Sequence, residues 1–145
     1  MKDTWQLPLK SRLRRWRELR KEIVEFSQRK QQLRVVVDFW KTTPIGTRAI
    51  DPYDHTTWPN PWDLLNTNHY DENVVGLCMA YTLHYSDIPC RILHVQNVDN
   101  SEIKLIVLVD DMYILNYNYD SIDTIEDVTD KFNVLADIEV STLVK

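Results

Sequence analysis

The sequence predicts an α+β domain, on three observations. A long stretch free of glycine and proline carries helical periodicity, a rigid strap of prolines and tryptophans follows it, and a second helical stretch leads into three short β signals. The expected architecture is a long N-terminal basic helix, the proline/tryptophan strap, and a central helix packed on a small antiparallel β-sheet. At 145 residues with 43% hydrophobic content the chain can bury one ordinary core. Residues 1–43 read as a helical arm and 44–145 as the body of a single domain.

From Ser11 to Trp40 the apolar positions Leu13, Trp16, Leu19, Ile23, Phe26, Leu33, Val36, Val37 and Trp40 fall mostly three or four apart. This predicts one helix of about 45 Å, ended by Pro44 and Gly46. A body of roughly 13 Å radius of gyration is shorter than that, so the helix is expected to overhang it. The run Val35-Val36-Val37 is β-branched and weakens the last third of that reading.

The strap Asp51–Leu65 holds three prolines and two tryptophans in fifteen residues. Each proline fixes φ and removes a donor, which pre-sets an extended backbone. Pro52, Trp58, Pro59, Pro61 and Trp62 are expected to clamp arm to body, the two indoles acting as wedges. Burial of both would make either alanine substitution cost ~3–5 kcal/mol.

Asn60-Pro61 reads as an N-cap followed by proline at the first helical position, starting a short helix from Trp62 to Asn66. A helix from Asp71 to Tyr85 follows, with apolar residues on most of its circumference and Asp71 and Glu72 in its first turn. Asp87-Ile88-Pro89 stops it. Strands are expected at Cys90–Gln96, Ile103–Val109 and Met112–Tyr117, with turns at Asp99-Asn100 and Asp110-Asp111. Asp127–Leu135 reads as a short helix and Ile138–Val144 as a final strand or an arm. With only 2 glycines, asparagine and aspartate must supply the left-handed turn positions.

Net charge is −5, unevenly spread. Residues 1–34 hold eleven Lys/Arg against four Asp/Glu, and the remainder six against eighteen. Such polarity suits docking between unlike surfaces. No window approaches a membrane span, and the basic, polar N-terminus lacks the apolar segment of a secretory signal. The expected setting is therefore a cytoplasmic product with two reduced thiols.

The side chains give little sign of catalysis. Cys78 falls about two turns inside its helix and Cys90 at a strand start, so both read as buried structural thiols rather than activated nucleophiles. His55, His69, His84 and His94 show no metal-ligand spacing. Asp99, Asn100 and Glu102 are explained by hairpin chemistry rather than by calcium. No glycine loop for phosphate is present. No catalytic, cofactor-binding or metal residue is assigned.

The arginines carry more. Arg12, Arg14, Arg15, Arg17, Arg20 and Lys21 crowd the start of the first helix, where positive charge opposes the macrodipole. Trp16 and Leu19 interleave with them and read as anchors of a protein interface. The expected partner is an acidic protein surface, including that of a neighbouring copy. Nucleic acid, bound through the Arg12–Arg34 face, ranks second because the body is acidic.

Two family resemblances follow. Helix, then Ile88-Pro89-Cys90-Arg91 opening a strand, then two antiparallel strands ending in Met112-Tyr113-Ile114-Leu115-Asn116, resembles the transglutaminase-like (papain-like) superfamily over about residues 71–118. That resemblance implies a nucleophilic cysteine at the start of the central helix, a histidine near the start of the second strand and an acid ending the third. The corresponding residues here are Asp71-Glu72-Asn73, Ile103-Lys104 and Asn116, which implies the fold without its chemistry. Separately, Pro44-Ile45, Asp51-Pro52-Tyr53-Asp54, Trp58-Pro59-Asn60-Pro61-Trp62 and Met79-Ala80-Tyr81-Thr82-Leu83 resemble a family of small proteins of tailed bacteriophages of marine bacteria and cyanobacteria. This implies a non-enzymatic virion or assembly protein of the neck, tail or baseplate. Its partners would be other virion proteins or further copies in a symmetric ring, and it would sit in the host cytoplasm before assembly. The alternatives are a thiol hydrolase or transferase using Cys78 with His94 or His84, and a host-takeover or nucleic-acid-binding factor.

Overall fold

The computed structural model describes residues 3–44, 46, 50–68 and 70–144. Ile45 and His69, both of interest in the sequence, lie outside them. After a short 3-10 turn at Thr4–Gln6, α1 spans Leu9–Glu25 and α2 spans Arg29–Trp40. The single long helix is thus two. Ser27 to Gln32 is a run of six polar residues, which leaves no apolar side chain to continue the buried stripe. Phe26 and Gln28 turn extended instead. The Gln32 amide donates to the Ile23 and Phe26 carbonyls at 3.2 and 3.0 Å, capping the end of α1.

The first two helices do not overhang. Trp16, Leu19, Ile23, Leu33, Val36, Val37 and Trp40 are buried in the main core. The indole N–H groups of Trp16 and Trp40 both donate to the Thr82 hydroxyl, each at 2.9 Å. That hydroxyl donates in turn to the Cys78 carbonyl at 2.7 Å.

The strap leads through α3 (Pro61–Thr67), capped by Asn60, into α4 (Glu72–His84), capped by Asp71. Every residue from Val74 to Leu83 is buried, so α4 is the central helix that its all-round apolar sequence demands. It packs on a five-stranded antiparallel sheet of order β4-β3-β2-β1-β5, built from β1 (Cys90–Asn97), β2 (Ile103–Val109), β3 (Tyr113–Leu115), β4 (Ile122–Thr124) and β5 (Phe132–Glu139). The fold class is α+β. Cys90, Ile92, Leu105, Val107 and Leu115 face α4 in the main core. Leu93, Val95, Ile106 and Ile114 face the opposite way and are covered by Val128 and Phe132 in a smaller second core. No described helix is long and apolar enough to cross a membrane.

The tail differs from expectation. Only Ile125–Val128 is α-helical, as α5, and Phe132–Glu139 is a strand that pairs with β1 as a sheet edge. Asn68, Asp87, Asp110, Asp111 and Asn116 take positive φ, as does Ser101, so asparagine and aspartate supply all but one of the left-handed positions among the described residues.

Candidate functional site

The fold brings the start of α4 against the middle of the sheet. Gly76 permits this: a Cβ there would lie 2.7 Å from both the Asn116 Nδ2 and the Leu105 carbonyl. The Asn73 side chain accepts from the Leu105 N–H at 3.0 Å. Asn116, with φ 69°, donates its amide to the Glu72 carbonyl at 2.8 Å and to the Leu105 carbonyl at 3.0 Å. Lys104 donates from Nζ to the Tyr117 carbonyl at 2.9 Å and stands 5.1 Å above the Tyr117 ring. Glu72, Lys104, Asn116 and Tyr117 line a small cavity of about 130 Å³.

The helix start, second strand and end of the third strand therefore meet, as the transglutaminase-like resemblance implies. The side chains that meet are two amides, Asn73 and Asn116, both bonded to the Leu105 backbone, while Lys104 points with Val95 and Tyr117 to the opposite face of the sheet. Neither amide supplies a nucleophile or a base. The ammonium, held by a carbonyl and a ring face, is a donor.

Both thiols lie elsewhere. Cys78 is 1% exposed in the fully buried stretch of α4. Cys90 opens β1, its thiol donating to the Ala80 carbonyl at 3.4 Å. Burial pushes that thiol up to about 12, which leaves almost no thiolate at neutral pH. His94 lies beneath Tyr53, whose ring meets the imidazole edge-on at 4.6 Å. Its Nε2 is buried without a partner. Burial holds its pKa below the ordinary histidine value, against a smaller upward pull from Asp51. His84 is half-buried at the end of α4 and packs edge-on against Tyr85.

The eight residues expected to form a partner interface divide. Arg12 is buried, donating to the carbonyls of Leu65 at 2.9 Å, Leu7 at 2.6 Å and Asn66 at 3.2 Å. It fastens α1 to the end of α3. Trp16 and Leu19 are core residues, so they are not available as interface anchors. Arg20 stacks 4.2 Å over the Trp16 ring, and its pKa is lowered by burial and by Arg17. Arg15 is half-buried. Arg14, Arg17 and Lys21 are exposed and, with Lys10, form one row along the outer face of α1. The ion pairs of the described residues involve Arg29, Arg34, Lys41 and Arg91 instead.

The strap divides too. Trp58 is buried, its indole N–H donating to the Asp51 carbonyl at 2.7 Å. Pro61 is buried, Pro52 and Pro59 are half-buried, and the Tyr81 hydroxyl donates to the Pro59 carbonyl at 3.0 Å. Trp62 is 46% exposed and rests edge-on against Trp16 and Tyr85, which makes it a surface residue rather than a buried wedge.

No family model matches the sequence, and no curated protein matches it significantly. Solved structures do. LapG of Legionella pneumophila in its calcium-bound form superposes with a TM-score of 0.71, covering 92% of this chain and 77% of LapG at 16% identity. A second LapG structure, and one of the EGTA-treated protein, each give 0.70 over 90% of this chain, again at 16% identity. At that identity the likeness establishes the transglutaminase-like fold and leaves the chemistry open. Among the described residues no three His, Cys, Asp or Glu side chains stand together as a metal site. The likeness lends nothing to the bacteriophage resemblance, which rests on Pro44-Ile45, the strap residues and Met79–Leu83.

Proposed function

We propose that this chain is a catalytically silent transglutaminase-like domain that works by docking on an acidic protein surface. One observation carries the reading. The segments where the resemblance implies a cysteine and an acid contribute two amides, Asn73 and Asn116, which both bond the Leu105 backbone, while both thiols are buried. The row Lys10, Arg14, Arg17 and Lys21 supplies the docking face, being exposed and unpaired among the described residues. Within a virion this row would meet an acidic neighbour, including a further copy of the chain.

The test has two arms. Iodoacetamide at neutral pH, followed by mass spectrometry, should label neither Cys78 nor Cys90 in the folded protein at the rate of free cysteine. Sedimentation with poly-glutamate and with duplex DNA should show salt-sensitive association with the polyanionic peptide, lost in an Arg14→Glu/Arg17→Glu/Lys21→Glu variant. Tighter, steeply salt-dependent binding to DNA would instead support the nucleic-acid reading. Mass spectrometry of purified particles tests the virion location.

The second reading, a thiol hydrolase or transferase, draws on the similarity to LapG, a transglutaminase-like cysteine protease. Rapid alkylation of one thiol, with loss of peptidase activity on its replacement by serine, would establish it over the first.

A further inference from the structure

At the end of α4 away from Asn73, the strap, the last turn of α4 and Thr142–Val144 enclose a cleft of about 680 Å³. That volume is typical of a small-molecule site. We infer that this cleft binds an organic cation of the quaternary or methylated ammonium class, because its wall is aromatic and its fixed charge is a carboxylate.

Trp58, Trp62, Tyr81 and Tyr85 all line it. Trp62 and Tyr85 stand 5.3 Å apart at 72°, forming a corner of two nearly perpendicular rings. Trp16 buttresses both from behind, 5.8 Å from Trp62 at 86° and 6.0 Å from Tyr85 at 80°. The corner is therefore fixed before any ligand arrives, although Trp62 is 46% exposed. A half-exposed indole held rigidly by two other rings offers apolar contact with no ordering cost on binding.

The charges point the same way. Asp63 is the only acidic side chain among the described lining residues, and no lysine or arginine is among them. Burial raises the pKa of Tyr85 and takes that of Tyr81 to about 12, so both rings stay un-ionised at neutral pH. The π faces and one carboxylate then attract a cation whose hydration is weak. An ordinary ammonium would lose more hydration on entry than an alkylated one. The same aromatic cluster already holds a guanidinium at its other side, where Arg20 lies 4.2 Å over Trp16. Arg20 lies over Trp16 and within electrostatic reach of Tyr85, so Trp62 is the ring that an external cation would meet first. This inference is independent of the docking face on α1.

Tryptophan fluorescence of the full chain, titrated with choline, tests it. Saturable binding is expected, and the uncharged tert-butyl isostere of choline should bind roughly tenfold more weakly, as a cation–π site requires. Trp62→Leu should abolish binding, and the isosteric Asp63→Asn should weaken it several-fold with the circular dichroism spectrum retained. A peptide bearing trimethyllysine, titrated beside choline, separates a protein-borne cation from a free one by relative affinity. Equal affinity for the neutral isostere, no saturable binding of either cation, or binding of a proline-rich peptide alone would each overturn the assignment.

Discussion

Arg12 illustrates how a charge run can conceal a structural residue. Its guanidinium donates to three carbonyls from two separated segments, and charge-assisted bonds of that kind are worth ~1.5–3 kcal/mol each at most. Arg12→Met keeps the stem but orphans those acceptors, and should cost about 2–4 kcal/mol in a urea titration, whereas Arg14→Met should cost under ~0.5 kcal/mol. Equal effects would return Arg12 to the surface. His94 makes a second prediction. Its pKa is depressed in the folded state by burial, so the unfolded chain binds the proton first. The stability it contributes is full above the unfolded value of about 6.5 and is lost as pH falls through the folded value. His94→Phe, which keeps an edge for Tyr53, should therefore lose less stability than the wild type between pH 8 and pH 5. An identical loss would show that His94 stays reachable by water. Neither role was legible in the sequence. Arg12 shares composition with its exposed neighbours, and only its position one turn before Trp16, on the buried stripe, sets it apart. His94 alternates with Cys90 and Ile92 on the face of β1 that looks into the main core, so strand periodicity placed it inward even though its type argued for the surface.

Elements were legible where periodicity and punctuation agreed. The α4 boundaries follow from the Asp71 cap and the Asp87-Ile88-Pro89 stop, and β2 runs over the residues its continuous apolar stretch predicts. They were illegible where two patterns competed. Phe132–Glu139 alternates weakly, and Leu135 is an extra residue in its pairing, since His94 faces Ala136 while Val95 faces Val134. That bulge breaks the period of two, which explains why the segment resembled a helix. It also has a physical use, because β5 is a sheet edge and a bulge beside Asp137 and Glu139 discourages pairing with another strand. The approach of α4 to β2 yields the element-scale prediction. Alanine at position 76 would gain up to about 1 kcal/mol of helix propensity. Its Cβ would, however, meet a backbone carbonyl and a hydrogen-bonded amide at 2.7 Å. Neither can swing aside, so Gly76→Ala should be destabilising by ~1–3 kcal/mol net. A neutral or stabilising result in denaturant would mean that the helix start is not pressed against the sheet, and the convergence of Asn73 and Asn116 on Leu105 would lose its basis.

At the scale of the molecule, the charge asymmetry read from the sequence is real, but it does not mark two mechanical parts. The chain between Trp5 and Trp40 contributes a third layer over α4, and the residue that joins the layers is Thr82. Its single hydroxyl accepts from the indoles of both N-terminal helices and donates back into α4, which uses its full bonding capacity. A threonine inside an apolar helical run is the one sequence signal that could have shown this. The strap then belongs to the same assembly, with buried Trp58 sealing one side and exposed Trp62 braced on Trp16. Trp58→Ala should cost ~3–5 kcal/mol, and Trp62→Ala clearly less. The whole-molecule consequence concerns residues 44–145 alone. Removing 1–43 would bare the face of α4 that Trp16, Leu19, Ile23, Val36 and Trp40 cover, and would leave too little buried area for a body of that size. The fragment should lack a cooperative urea transition and near-ultraviolet dichroism, with the compact secondary structure of a loosened core. Adding a peptide of residues 1–43 should restore both signals. A fragment that unfolds cooperatively by itself would make the N-terminal helices a true appended arm, and would return Trp16 and Leu19 to the role of interface anchors.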